Sequence, residues 1–369
     1  MSTTVAKGAR AWHADSRIAP SIRSRWASLP ARPRPPALST RAAALAHLDA
    51  AANDALNALF GSDAWAGGEA LATKRGLDIS ENGFTSSPDG NEVSVCVMKP
   101  SAASRRPAVV YFHGGGMAKA SCFHGNFQTF GRLLAHHGVV VILVDFRNSL
   151  YPAQPGDTVA PFPAGLNDCV SAVRWVDSHR SELGIVESGG IVVAGESGGG
   201  NLAIATALRL KQEQKVSGVY AMCPFISGVY IGPDAFPSTR EFDGYVLSKE
   251  MMATLAAGYG DGIAANPLAW PSNCTSDDLQ GFPPIVISTN ELDPLRDEGM
   301  DFYRKCMAAG VQAEGKILLG TVHATDNYFP GTAPHITHAT CGAITGFVKS
   351  FCGHGRHNKD DTTSCSGKL

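Results

Sequence analysis

Unbroken apolar runs at residues 108–112, 139–144 and 191–194 stand out along a chain whose other segments mix polar and apolar positions. A run without alternation is what a strand covered on both faces shows. Ahead of these runs, residues 77–85 and 92–98 read as two short strands joined through Ser87-Pro88-Asp89-Gly90, a turn suited to antiparallel pairing. Beyond the second run, Leu166, Val170, Val173 and Val176 recur at helical spacing and mark a crossover helix. An almost wholly apolar helix over 203–210 follows the third run. Then come strands at 219–223 and 284–288, a helix over 296–309 ended by Gly310, a strand at 314–319 and a helix over 336–351. Strands alternating with helices predict an α/β fold: a mostly parallel sheet flanked by helices on both faces.

Nearer the N-terminus, Ala43, Ala44, Leu45, Leu48, Ala51, Ala52, Leu56 and Leu59 repeat at helical spacing behind Ser39-Thr40, and Gly61 stops the run. The spacing predicts a single helix there. Residues 227–281, rich in Gly, Pro and aromatics, break the strand–helix alternation. An insertion at that point sits above the carboxyl edge of the sheet, so it is expected to be a lid. Its Phe242, Tyr245 and Tyr259 either line a pocket or form the lid's own core. The polar stretch 353–369 is expected to be disordered.

Composition narrows the function. With 369 residues, 44% hydrophobic and 17% charged, the chain can bury a large core, and its net charge of −2 gives no field to recruit nucleic acid or acidic membrane. No run has the length and apolarity of a membrane span. The expected partner is a small molecule. Nine cysteines are scattered singly, without a Cys-x-x-Cys pair, and no signal-like apolar stretch follows Met1, which points to reduced thiols in the cytoplasm and no zinc site. Residues 1–41 carry seven Arg and one Lys against one acid, Asp15. That balance fits an organelle transit peptide, but Trp12, Ile18, Ile22 and Trp26 fit an arm docked on the body, and docking is the preferred reading.

The chemistry-bearing motifs lie at strand ends. Gly195-Glu196-Ser197-Gly198-Gly199 follows an apolar strand and opens a helix, the setting of a nucleophile elbow, in which small residues two positions either side spare the turn a collision. Alone this pattern is weak, since residue frequencies supply roughly 0.3 chance copies. His113-Gly114-Gly115-Gly116-Met117 is the strong signal, with about 0.015 chance copies of its His-Gly-Gly-Gly core. Consecutive glycines turn backbone N–H groups toward a carbonyl, and the expected oxyanion hole is Gly114, Gly115 and Gly198. No Gly-Lys-Ser/Thr follows to make it a phosphate loop. A serine needs a histidine to take its proton and a carboxylate to orient that histidine. Asp293 and His323 each follow a strand and supply them. Glu291 and Asp297 are rival acids and His335 and His338 rival bases, while Asp297 and Glu298 are expected at a helix N-terminus. Glu196 is read as a partner for nearby loop groups.

Together, His113-Gly114-Gly115-Gly116, Gly195-Glu196-Ser197-Gly198-Gly199-Gly200-Asn201, Asp293-Pro294-Leu295-Arg296-Asp297-Glu298 and His323 resemble the hormone-sensitive-lipase family of α/β-hydrolases, over roughly residues 77–352. The resemblance implies an α/β-hydrolase fold with a helical cap and a Ser197, Asp293 and His323 triad. It divides the chain into an N-terminal arm and helix contributing to the cap (1–60), a catalytic domain (77–226 and 282–352), a cap insertion (227–281) and a tail (353–369). It also implies a serine carboxylesterase working through an acyl-enzyme without cofactor or metal, on a small-molecule ester. Family members are often homodimers, which no residue here demonstrates. The Gly- and Pro-rich insertion argues against a long apolar tunnel and for short- to medium-chain acyl groups. Competing readings are a hydrolase-fold small-molecule receptor, such as the plant gibberellin receptors that lack the histidine, or a triad hydrolase of aryl amides, lactones or carbamates. Two departures from the family stand out: Gly198 where Ala is usual, expected to loosen the turn, and Ala324 where Gly usually follows the histidine.

Overall fold

The computed structural model describes residues 14–28, 34–102 and 104–352, so Trp12 and the 353–369 tail lie outside the described residues. Eight strands form one sheet: β1 (Leu77–Thr85), β2 (Glu92–Pro100), β3 (Ala108–Phe112), β4 (Val140–Asp145), β5 (Ile191–Glu196), β6 (Gly218–Met222), β7 (Ile285–Leu292) and β8 (Ala313–Val322). Their spatial order is β1-β2-β4-β3-β5-β6-β7-β8. The β1–β2 and β2–β4 pairs are antiparallel, and every pair from β4 through β8 is parallel.

Every residue of β3, β4 and β5 is buried, as their unbroken apolar sequence demands. Successive side chains enter opposite layers. Val110 and Val193 pack with Leu166, Val173 and Leu202 on one face, whereas Val109, Tyr111 and Val192 pack with Phe130, Leu134 and Ile344 on the other. The second layer rests on the helix Gly125–His136, which the hydrophobic pattern leaves unassigned. Nine of its residues are buried, including Asn126, Thr129, Gly131 and Arg132, so it lacks the polar stripe that makes a surface helix legible.

The helix expected over 40–59 is two, Arg41–Ala46 and Ala50–Gly61. Thr40 caps the first, and the Asp49 carboxylate accepts the N–H of Ala52 to start the second. The Asp49 N–H donates to the Tyr151 hydroxyl, drawing the break onto the body. Ahead of it, Ile18 and Ile22 are buried, and Trp26 sits edge-on to Trp65 and Phe329 at 5.6 and 5.5 Å.

Within 227–281, the helix Lys249–Tyr259 packs on Arg41–Ala46. Arg34 pairs with Asp243 at 2.7 Å and with Glu250 at 3.4 Å, and Arg41 donates to the carbonyls of Ser149 and Gly258. These contacts tie the N-terminal strap to the insertion. The aromatics of 227–281 form packing cores: Phe242 and Tyr245 join Ile18, Ile22 and Trp65, while Tyr259 joins Trp270 in the main core.

Candidate active site

Ser197, Asp293 and His323 follow β5, β7 and β8, at one edge of the sheet. Ser197 has φ 56° and ψ −119°, a strained turn that lifts its hydroxyl clear of the strand. The turn tolerates no side chains beside it. A Cβ on Gly199 would lie 1.9 Å from the Phe112 carbonyl oxygen, and one on Gly195 would lie 2.4 Å from that of Gly199. His323 Nε2 is 3.0 Å from Ser197 Oγ, and its Nδ1 is 2.8 Å from Asp293 Oδ2. All three are buried. The second Asp293 oxygen accepts the Leu295 N–H at 2.9 Å, fixing the carboxylate. With Nδ1–H donated to Asp293, Nε2 is free to accept the Ser197 proton.

Asn290 holds the histidine loop. Its Oδ1 accepts the Ala324 N–H at 3.1 Å and its Nδ2 donates to Thr321 at 2.9 Å, clamping a turn in which Ala324 takes φ 53°. Cys223 lies beside this pair: ligand atoms of Cys223, Asp293 and His323 fall within 4.8 Å of one another, the one potential metal-holding group among the described residues. Burial pushes the Cys223 thiol well above its ordinary range, and Asp293 and His323 are already bonded to each other.

The glycine loop departs from expectation. The Gly114 N–H donates to Glu196 Oε1, so it points at a carboxylate beneath the loop and is withdrawn from the expected oxyanion set. Tyr111 donates to the other Glu196 oxygen, and Asn327 donates to the Tyr111 hydroxyl at 2.7 Å. Burial pushes Glu196 up to about 8. His113 braces the same loop from its other side. Its Nδ1–H donates to the Gly114 carbonyl at 2.7 Å, its ring stacks on Phe146 at 4.3 Å, and burial lowers it to about 4, which keeps it neutral.

Gly115 and Gly116 both have positive φ, +113° and +67°, and among the described residues no acceptor takes either N–H. Gly198, first residue of the helix Gly198–Leu210, closes on them. A Cβ there would lie 2.5 Å from the Met117 nitrogen and 2.8 Å from Gly116. Gly198 is therefore required by close approach to the loop. The N–H groups of Gly115, Gly116 and Gly198 thus belong to segments in close contact beside Ser197, an arrangement that can hold a developing oxyanion.

Residues 109–327 match the sequence profile of a family described by the alpha/beta hydrolase fold. The chain belongs to the α/β-hydrolase-fold family. This α/β-hydrolase is 31% identical over 240 residues to the esterase LipI of Mycobacterium tuberculosis, covering 63% of this chain and 70% of that one. It is 30% identical over 241 residues to an arylesterase of Saccharolobus solfataricus, covering 63% and 72%. Among solved structures, esterase Est22 superposes with TM-score 0.84 at 40% identity over 92% of this chain and 99% of that one. Brefeldin A esterase, described as a bacterial homologue of human hormone-sensitive lipase, gives TM-score 0.82 at 36% identity over 92% and 95%. The expected family and the α/β-hydrolase fold are those found.

The rival site residues are engaged elsewhere in this α/β-hydrolase. Glu291 accepts the Gly320 N–H, and Asp297 binds Arg296 and the Ser238 N–H. His335 and His338 lie on the helix Pro334–Lys349. Asp297 and Glu298 do occupy the first turn of the helix Arg296–Ala308. Glu298 reaches further inward, accepting the Ile226 N–H at 2.7 Å and the Tyr230 hydroxyl at 3.3 Å, and burial pushes it up to about 8. Sequence reasoning missed Asn290, Tyr111 and Asn327. An Asn or Tyr inside an apolar or loop stretch carries no local signal of the partner it meets across the fold.

Proposed function

We propose that this α/β-hydrolase is a serine carboxylesterase. The observation that carries the reading is the continuous chain from Ser197 Oγ through His323 to Asp293, at 3.0 and 2.8 Å, opening beside unclaimed N–H groups. Ser197 attacks the ester carbonyl as His323 Nε2 takes its proton, and Asp293 stabilises the imidazolium. Negative charge on the carbonyl oxygen is received by the N–H groups of Gly115, Gly116 and Gly198. Collapse expels the alcohol, protonated by His323, and leaves an acyl-serine. Water, deprotonated by the same histidine, then releases the acid. Likeness to esterases over nearly the whole chain supports ester substrates in particular.

Ser197→Ala is expected to keep its fold by circular dichroism and to lose on the order of 10⁴-fold or more in kcat on p-nitrophenyl acetate. Retention of most of that activity would sink the mechanism. Short and medium acyl chains are the preferred substrates in this reading, supported by Leu255 of the helix Lys249–Tyr259, which packs against Gly116. A p-nitrophenyl ester panel with its maximum at long chains would overturn that preference.

The outer face of edge strand β8 exposes Ile317 and Leu319, the latter 76% accessible, and supports a homodimer whose mass light scattering would report. Among the described residues no helix is long and apolar enough to cross a membrane. Seven of the described cysteines are buried free thiols, which fits the cytoplasm; an extracellular pool of the native protein would contradict that placement.

A further inference from the structure

Tyr328 ends the short helix Thr325–Tyr328 that leaves His323. Its ring meets His323 edge-on at 6.4 Å and is held by Phe60 at 5.3 Å and Phe127 at 6.0 Å. Its hydroxyl reaches the glycine loop: a Cβ on Gly114 would lie 2.7 Å from it. There it stands beside Glu196, but both carboxylate oxygens are taken, one by the Gly114 N–H and one by the Tyr111 hydroxyl. Among the described residues the Tyr328 hydroxyl bonds to nothing, and the residue is only half-buried. A phenol donor held by Phe60 and Phe127, with its ring beside His323 and its hydroxyl beside the glycine loop, is available to a substrate.

The side it faces is set by the reaction. His323 must hand its proton to the departing oxygen, so the alcohol portion of the ester lies against the histidine and the residues that follow it. Tyr328 is on that side. We propose, resting on the esterase reading, that the Tyr328 hydroxyl binds the alcohol portion of the substrate, and that this enzyme favours esters whose alcohol carries an acceptor oxygen near the ester bond. Tyr328 is then a specificity residue of the reaction.

The test compares 2-methoxyethyl acetate with n-butyl acetate, which differ by one oxygen in place of one CH2, in the full-length wild type and in Tyr328→Phe. A net hydrogen bond is worth about 2- to 13-fold in kcat/KM, so the ratio of the two esters should fall by that factor in the variant. A purely structural role for Tyr328 would move both esters together and leave the ratio where it was, and that result would overturn the proposal. So would a Tyr328→Phe effect that appears instead between methyl methoxyacetate and methyl butanoate, which differ on the acyl side. Failure of the wild type to cleave any of these esters is a distinct result: it would sink the esterase reading, and the proposal with it.

Discussion

Gly198→Ala offers the sharpest check on the geometry around Ser197. The new methyl would stand 2.5 Å from the Met117 nitrogen and 2.8 Å from the Gly116 Cα and nitrogen, all of them backbone atoms. Reaching an ordinary contact of 3.4 Å demands a retreat of the loop by roughly 0.9 Å in a site packed too tightly to absorb it elsewhere. Each oxyanion donor is worth about 2.7–4 kcal/mol, and a displacement of about 1 Å in a positioned group costs on the order of 10²-fold. The backbone at Gly198 is helical, so alanine adds no conformational strain, and its gain in helix propensity, at most about 1 kcal/mol, offsets part of the steric cost. The two effects separate cleanly. On p-nitrophenyl butyrate, kcat is expected to fall about 10- to 100-fold with KM nearly unmoved, while the thermal midpoint stays close to wild type. A variant within twofold of the wild-type kcat would show that the loop is not held against Gly198, and the argument for close approach would fail.

Two further substitutions test the surroundings. Glu298 is raised by burial from an ordinary 4.5 to about 8, so the folded state binds a proton that the unfolded state releases. Its contribution is complete below pH 4.5 and is lost as pH rises through 8. Glu298→Gln, which can still accept from Ile226 and Tyr230, should therefore raise the melting temperature at pH 8 and flatten its decline between pH 5 and 8. Parallel melting curves against pH in the two proteins would refute this. Ala324, buried with φ 53°, carries a left-handed conformation that costs a non-glycine residue about 1–2 kcal/mol. Ala324→Gly should gain about 0.5–1 kcal/mol in urea unfolding after the glycine's own entropy cost. A loss of stability would show that the methyl's packing outweighs the strain.

The sheet was readable from sequence because its central strands are buried on both faces and so had to be continuous apolar runs. The helix Gly125–His136 was not, and for the same physical reason: burial all around it erased the polar stripe by which helices are recognised. The break at His47-Leu48 was hidden because Ala and Leu continue the helical spacing straight through it; what ends the helix is the Asp49 cap and a bond to Tyr151, more than a hundred residues away. The meeting of Ser197, Asp293 and His323 was legible because each follows a strand at the same edge. Gly114 was misassigned because the direction of a backbone N–H depends on its partner. That partner, Glu196, is adjacent to the nucleophile in sequence yet lies under the loop in space.

That misassignment exposes how the site keeps its dimensions. In the proposed reaction, accurate attack requires a fixed distance between Ser197 Oγ and the N–H groups that would receive the oxyanion, although these sit on segments some eighty residues apart in sequence. The elbow supplies both sides of that distance. Glu196 grips the loop at Gly114, and Gly198 receives the loop at Gly116 and Met117 by presenting no side chain. The residues immediately before and after the nucleophile thus locate the oxyanion loop relative to the nucleophile itself. An error in the packing of the flanking helices shifts both together, and the distance that governs the barrier is preserved. Glu196 carries no charge chemistry in this scheme: its buried, proton-retaining carboxyl acts as a brace, and Tyr111 and Asn327 hold the brace.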